Sequence, residues 1–105
     1  MPSSVRVLLC TCPRDAAERI AEGLLNRRLV ACVNAIAGVQ SRFRWKGEIQ
    51  KEEETLLVLK TEAARVDEVI AALAELHPYD VPELLSLPVE KGLPAYLDWV
   101  RDETS

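Results

Sequence analysis

Histidine occurs once in this 105-residue chain, at His77, and neither a CxxC nor an HxxxH pair is present. The spacings that make a strong metal site are therefore missing. Cysteine occurs three times, at Cys10, Cys12 and Cys32. An odd number builds no even disulfide framework, so a reducing compartment is expected. Apolar runs are only a few residues long, which excludes a transmembrane helix. The segment from Met1 to Ser4 has no charged, apolar and cleavage-site succession of a signal peptide. Positive charge is also in deficit. Thirteen Lys and Arg face seventeen Asp and Glu, for a net −4. Such a chain lacks the basic face of a phosphate-backbone binder, so no nucleic acid and no membrane partner is expected. There is no nucleophile elbow, no P-loop and no local His–Asp dyad. The segment Cys12-Pro13-Arg14-Asp15 lacks glycine, and Pro13 lacks an N–H, so it makes no anion cradle. The reading is of a protein that is not an enzyme.

What is present is an ordinary globular balance, 49% hydrophobic and 29% charged, at the size of a single domain spanning 1–105. Val5 to Cys12 is apolar at almost every position, as in a strand covered on both faces. Pro13 ends it. Asp15 and Glu18 have the spacing of a capping box, and Ala17, Ile20, Ala21, Leu24 and Leu25 follow at helical intervals. Asn26-Arg27-Arg28 closes that helix with cations. A second strand runs from about Leu29 to Trp45, Lys46-Gly47 suits a primed hairpin turn, and a third returns from Glu48 to Thr61. Gly38 marks a bulge. Thr61 or Glu62 opens a helix carrying Val66, Val69, Ile70, Leu73 and Leu76, and Pro78 ends it at His77. Glu83 to Val89 is a fourth strand. Pro94 starts a short last helix with Leu93, Tyr96, Leu97 and Val100 on one side and Trp99 off that stripe.

The order β-α-β-β-α-β is that of an α+β, ferredoxin-like sandwich with strand order 4-1-3-2 and helices on one face. That topology gathers Cys10-Thr11-Cys12, His77-Pro78-Tyr79 and Pro82-Glu83 at one edge of the sheet. Two strands of about 14 residues extend roughly 45 Å at 3.3 Å per residue, longer than the sheet needs. The outer half of the hairpin, with Phe43 and Trp45, and the uncovered sheet face both call for other subunits. Cys10 and Cys12 point to one face of the first strand and, with His77, make a weak soft-metal set. The plainer reading is of buried strand cysteines and a helix-terminal imidazole bonded to backbone. The run Glu52-Glu53-Glu54 reads as a solvated or subunit-facing stretch of hairpin.

The segments LLCTCP (8–13), LVACVNAIAG (29–38), SRFRWKGEI (41–49), LVLKT (57–61), LHPYDVPELLSLPV (76–89) and YLDWV (96–100) together resemble the CutA divalent-ion tolerance family, over nearly the whole chain. The resemblance implies a homotrimer related in architecture to the PII signalling proteins, a cytoplasmic location, and tolerance of copper and other divalent cations. It implies a copper site at a strand-one cysteine and a histidine pair. Cys10 matches the cysteine and His77 the second histidine, while Leu76 stands in place of the first. An alternative within the same family is a PII-like trimeric sensor or scaffold. Its inter-subunit clefts would bind an organic anion, with Lys60, Tyr79 and Glu83 as candidate contacts.

Overall fold

The computed structural model describes residues 3–105; Met1 and Pro2, part of the segment read above for a signal peptide, lie outside it. The elements are β1 (Val5–Cys12), α1 (Ala17–Asn26), β2 (Cys32–Trp45), β3 (Glu48–Glu62), α2 (Val66–Leu76), β4 (Leu85–Pro88) and α3 (Pro94–Glu103). They form one antiparallel sheet of order β2-β3-β1-β4, the ferredoxin-like arrangement. No helix among the described residues is long and apolar enough to cross a membrane.

The nearly unbroken apolar run of β1 follows from its central place. Leu8, Cys10 and Cys12 are fully buried on one face, against Leu57, Leu59, Ile20, Leu24, Val69 and Leu73. Val7, Leu9 and Thr11 alternate to the opposite face, away from α1 and α2, and are only half-buried; α3 approaches this face at its Cys32 end through Tyr96. Each buried Leu or Ile of the covered face contributes roughly 1.5–3 kcal/mol. Leu85 and Leu87 on β4 pair with Leu9 and Val7 and are about half exposed.

Both helix starts differ from expectation. After Pro13 the chain makes a short 3-10 turn, Arg14–Ala16, and no side-chain cap bond forms at either it or α1. The Pro13 carbonyl accepts the Ala16 N–H at 3.0 Å, which winds Asp15 into the 3-10 turn in place of the extended N-cap expected of it. A second 3-10 turn, Ala63–Arg65, delays α2 to Val66. The end of α1 sets the later start of β2. Arg28 adopts a left-handed φ of 56°, Leu29 N–H returns to the Leu24 carbonyl and Arg28 N–H to that of Leu25. This is a Schellman closure, with buried Leu29 packed into the same core as Leu24. Outward helix positions also depart from the expected stripes: Leu25, Ile70, Leu93 and Tyr96 are exposed, and Val100 is the buried residue of α3.

The hairpin follows its local chemistry. Lys46 and Gly47 both have positive φ, 49° and 80°, as a type I′ turn requires, and Trp45 pairs with Glu48, Phe43 with Gln50 and Ser41 with Glu52. Between the pairs Ile36–Leu56 and Val39–Glu54, Ala37 and Gly38 face only Thr55. Gly38, at φ 77°, absorbs this two-against-one bulge. β1 ends opposite Thr55, so Glu48 to Glu54 run past it with β2 alone beside them. That overhang is roughly 23 Å at 3.3 Å per residue.

Candidate functional site

Proline disfavours helical geometry in the residue before it, and His77, ahead of Pro78, is extended at φ −80° and ψ 136°. The chain turns there and brings the imidazole over the end of β1, where it is 6% exposed. Nε2 of His77 lies 2.8 Å from the Thr11 carbonyl, and the Tyr79 N–H donates to Nδ1 at 3.1 Å. A carbonyl only accepts, so Nε2 carries the proton and Nδ1 the lone pair: one neutral tautomer satisfies both contacts. The Tyr79 ring leans on the imidazole at 4.7 Å between centroids.

Tyr79 then reaches the hairpin, where its hydroxyl donates to Glu54 Oε2 at 3.0 Å. Glu54 is the last β3 residue before the strand passes under β1, and it is 5% exposed. The phenol pKa is pushed up to about 12, by burial first, then by the hydrogen bond to Glu54 and the negative charge nearby. The Cys10 thiol is likewise pushed up to about 12, chiefly by burial and then by Cys12, Glu83 and Glu54. Burial followed by Glu54 and Asp15 also raises Cys12.

Beside this relay lie two adjoining open clefts of about 650 and 480 Å³. Tyr79, Phe43, Trp45 and Val81 line both. Glu52, Glu53 and Asp80 face the larger, and Thr11, Arg42, Glu54 and Glu83 the smaller. The expected meeting of Thr11, His77, Tyr79 and Glu83 at one sheet edge is thus realised. Lys60 is elsewhere. It lies six residues along β3 from Glu54, roughly 20 Å at 3.3 Å per residue, beside Cys32 and Asn34.

As they stand, Cys10 and His77 do not fit a metal. The thiol is held protonated and contacts the Thr11 carbonyl at 3.6 Å, and both imidazole nitrogens are already bonded. Among the described residues no three His, Cys, Asp or Glu side chains are grouped to hold a cation. Glu54 was the residue missed by reading the sequence, hidden in what looked like a solvated acidic run. A signal existed: with Thr55, Leu57 and Leu59 facing the helices, Glu54 must face the side from which Tyr79 approaches.

A four-stranded antiparallel sheet covered on one face, with a hairpin overhanging a cleft, places this chain among the ferredoxin-like α+β proteins of PII-like shape. The chain belongs to the CutA1 divalent ion tolerance protein family, whose model matches residues 6–103. A CutA homolog of Xenopus laevis is 43% identical over 94% of this chain, which spans 66% of that relative's length. The crystal structure of CutA from Xylella fastidiosa superposes with a TM-score of 0.96 at 40% identity, covering 98% of this chain and all of that one. A PII-like protein CutA from Nostoc, in apo form, gives 0.90 at 35% identity over 95% and 97% of the two chains.

Proposed function

We propose that this chain is one subunit of a homotrimer acting in divalent-cation tolerance, and that the clefts beside Glu54 and Tyr79 take its ligand. The overhanging hairpin carries the reading. Beyond Cys12 its β3 edge has no neighbour among the described residues, and Phe43, Trp45 and Ile49 are exposed on the hairpin. Exposed aromatics beside an unpaired edge are what a neighbouring subunit covers. The half-exposed Ile36, Leu85 and Leu87 on the uncovered face support the same assembly. Three free cysteines support a reducing compartment, the cytoplasm.

Within that trimer the ligand reading nearest the geometry is the PII-like one: a small polar molecule contacted by Tyr79 and Glu83, with Lys60 supplied by another copy of the chain. Copper or another divalent cation held by Cys10 and His77 is the second reading, and it requires the thiol and the imidazole to give up the contacts they hold with Thr11 and Tyr79. Sedimentation equilibrium should give about three times the 11.7 kDa chain mass across micromolar dilution, and a monomer would overturn the assembly. Calorimetric titration of tag-free protein with copper, zinc and small carboxylates and phosphates separates the ligands. Binding lost in Tyr79→Phe and Glu83→Gln supports the cleft. Binding of copper lost only in Cys10→Ser and His77→Ala moves the site to those two residues.

A further inference from the structure

Away from the clefts, the uncovered sheet face carries a second group of reactive side chains. Cys32, the first residue of β2, and Lys60 of β3 are direct cross-strand partners, and the Lys60 ammonium donates to Cys32 Sγ at 3.8 Å. Asn34, two residues along on the same pleat face, accepts from both the ammonium and the thiol at its Oδ1. Tyr96 of α3 closes the group: its phenol is raised by burial first, then by the charge of Cys32 and a hydrogen bond to it. Cys10 and Cys12 are fully buried, whereas Cys32 is half-buried. Within the subunit, Cys32 is the one of the three cysteines that is partly exposed and has an amine in reach. Peroxides oxidise cysteine sulfur to a sulfenic acid, which a neighbouring nitrogen can then attack.

We propose that Cys32 and Lys60 form an oxidant-responsive covalent site, in which hydrogen peroxide converts Cys32 to a sulfenic acid and the Lys60 amine closes a sulfur–nitrogen bond between β2 and β3. In the first step thiolate sulfur attacks one peroxide oxygen and the O–O bond breaks. The other oxygen leaves as hydroxide and takes up a proton to become water. Sulfur loses two electrons and peroxide gains them. In the second step the Lys60 amine, its ammonium proton lost to solvent, attacks sulfur and the S–O bond breaks. The hydroxyl departs with a second amine proton as water, and no further oxidant is needed. Thiol, amine and one peroxide thus yield the bridge and two waters. Sulfenic acids are known to condense with nearby nitrogen in this way. The flexible lysine arm spans the remaining distance while the backbone register stays as it is. The bridge also removes a positive charge from the sheet face.

The test treats the whole protein, in its native assembly, with a small excess of hydrogen peroxide, followed by intact-mass measurement and peptide mapping. The expected product is lighter by two hydrogen atoms, yields one cross-linked peptide pair joining Cys32 to Lys60, and reverts with dithiothreitol. Lys60→Arg keeps the charge but supplies no attacking amine. It should stop at a sulfenic acid trapped by a 1,3-dione, with no cross-link. Cys32→Ser should give neither product. Wild-type protein that is unreactive at Cys32, that adds oxygen there without cross-linking, or whose cross-link retains an oxygen atom would overturn the proposal.

Discussion

Replacing Tyr79 with Phe removes one oxygen, and with it the hydrogen bond to a carboxylate that is only 5% exposed. Hydrogen bonds to charged groups contribute roughly 1.5–3 kcal/mol. Tyr79 is itself 38% exposed, so water competes for the phenol. The low end applies, and the variant should lose about 1–1.5 kcal/mol. The same contact sets an alkaline limit. The folded phenol ionises near about 12, against 10 as the ordinary value. A group whose folded pKa is raised contributes stability that is complete below pH 10 and is lost as the pH climbs through 12. Two units would be worth about 2.7 kcal/mol undiscounted, and solvent screening brings this to about 1 kcal/mol. Urea unfolding of wild type, Tyr79→Phe, Glu54→Gln and the double variant, at one fixed protomer concentration, should give a coupling energy of about 1 kcal/mol. Ultraviolet phenolate titration in a Tyr96→Phe background should place Tyr79 near 12, and Glu54→Gln should draw it back toward 10, leaving burial as the remaining cause. A coupling below about 0.3 kcal/mol, or a titration that Glu54→Gln leaves unmoved, would refute the claim that this pair ties the loop after α2 to the hairpin.

Trp45→Ala should weaken the assembly more than Trp99→Ala, because Trp45 lies beside the hairpin tip and Trp99 rests on Tyr96 of its own helix at 5.6 Å. Equal trimer stability of the two variants on heating would exclude anchoring by Trp45. His77→Ala should cost about 2–3 kcal/mol by removing both bonds that join Thr11 to Tyr79, and an unchanged urea midpoint would show that the relay does not fasten the loop. Gly38→Ala has room, with Glu53 Oε1 the nearest atom at 4.0 Å, so its cost is strain alone. About 1–2 kcal/mol is expected for a side chain at this left-handed φ, and thermal unfolding that matches wild type would mean the bulge relaxes.

Much of the frame was legible in the sequence because its signals act within a few residues. The bounds of β1, the Lys46-Gly47 turn with the pairings around it, the bulge at Gly38 and Pro94 at the start of α3 all follow from a missing N–H or a required positive φ. Such constraints hold whatever the rest of the chain does. The helix starts were misread for an equally local reason whose winner could not be foreseen. Asp15 offered a side-chain cap, but the bond from Ala16 N–H to the Pro13 carbonyl winds Asp15 into a 3-10 turn instead. Arg28, with no glycine's freedom, closes α1 in a left-handed conformation because burying Leu29 beside Leu24 outweighs the strain.

The sequence by itself determined the element order, the ferredoxin-like topology and the sheet edge where Thr11, His77, Tyr79 and Glu83 gather. Only the tertiary structure decided what those side chains are. It buried Glu54, a residue that its acidic neighbours had disguised, by setting it under Tyr79 across 25 positions of sequence. It selected the neutral His77 tautomer through a carbonyl 66 positions away. It also carried Lys60 from the expected cleft to Cys32, since cross-strand register places it there. Turns and strand faces are written in neighbouring residues. The protonation state and partners of a polar group depend on which distant atoms share its low-dielectric surroundings, and folding alone brings those atoms together.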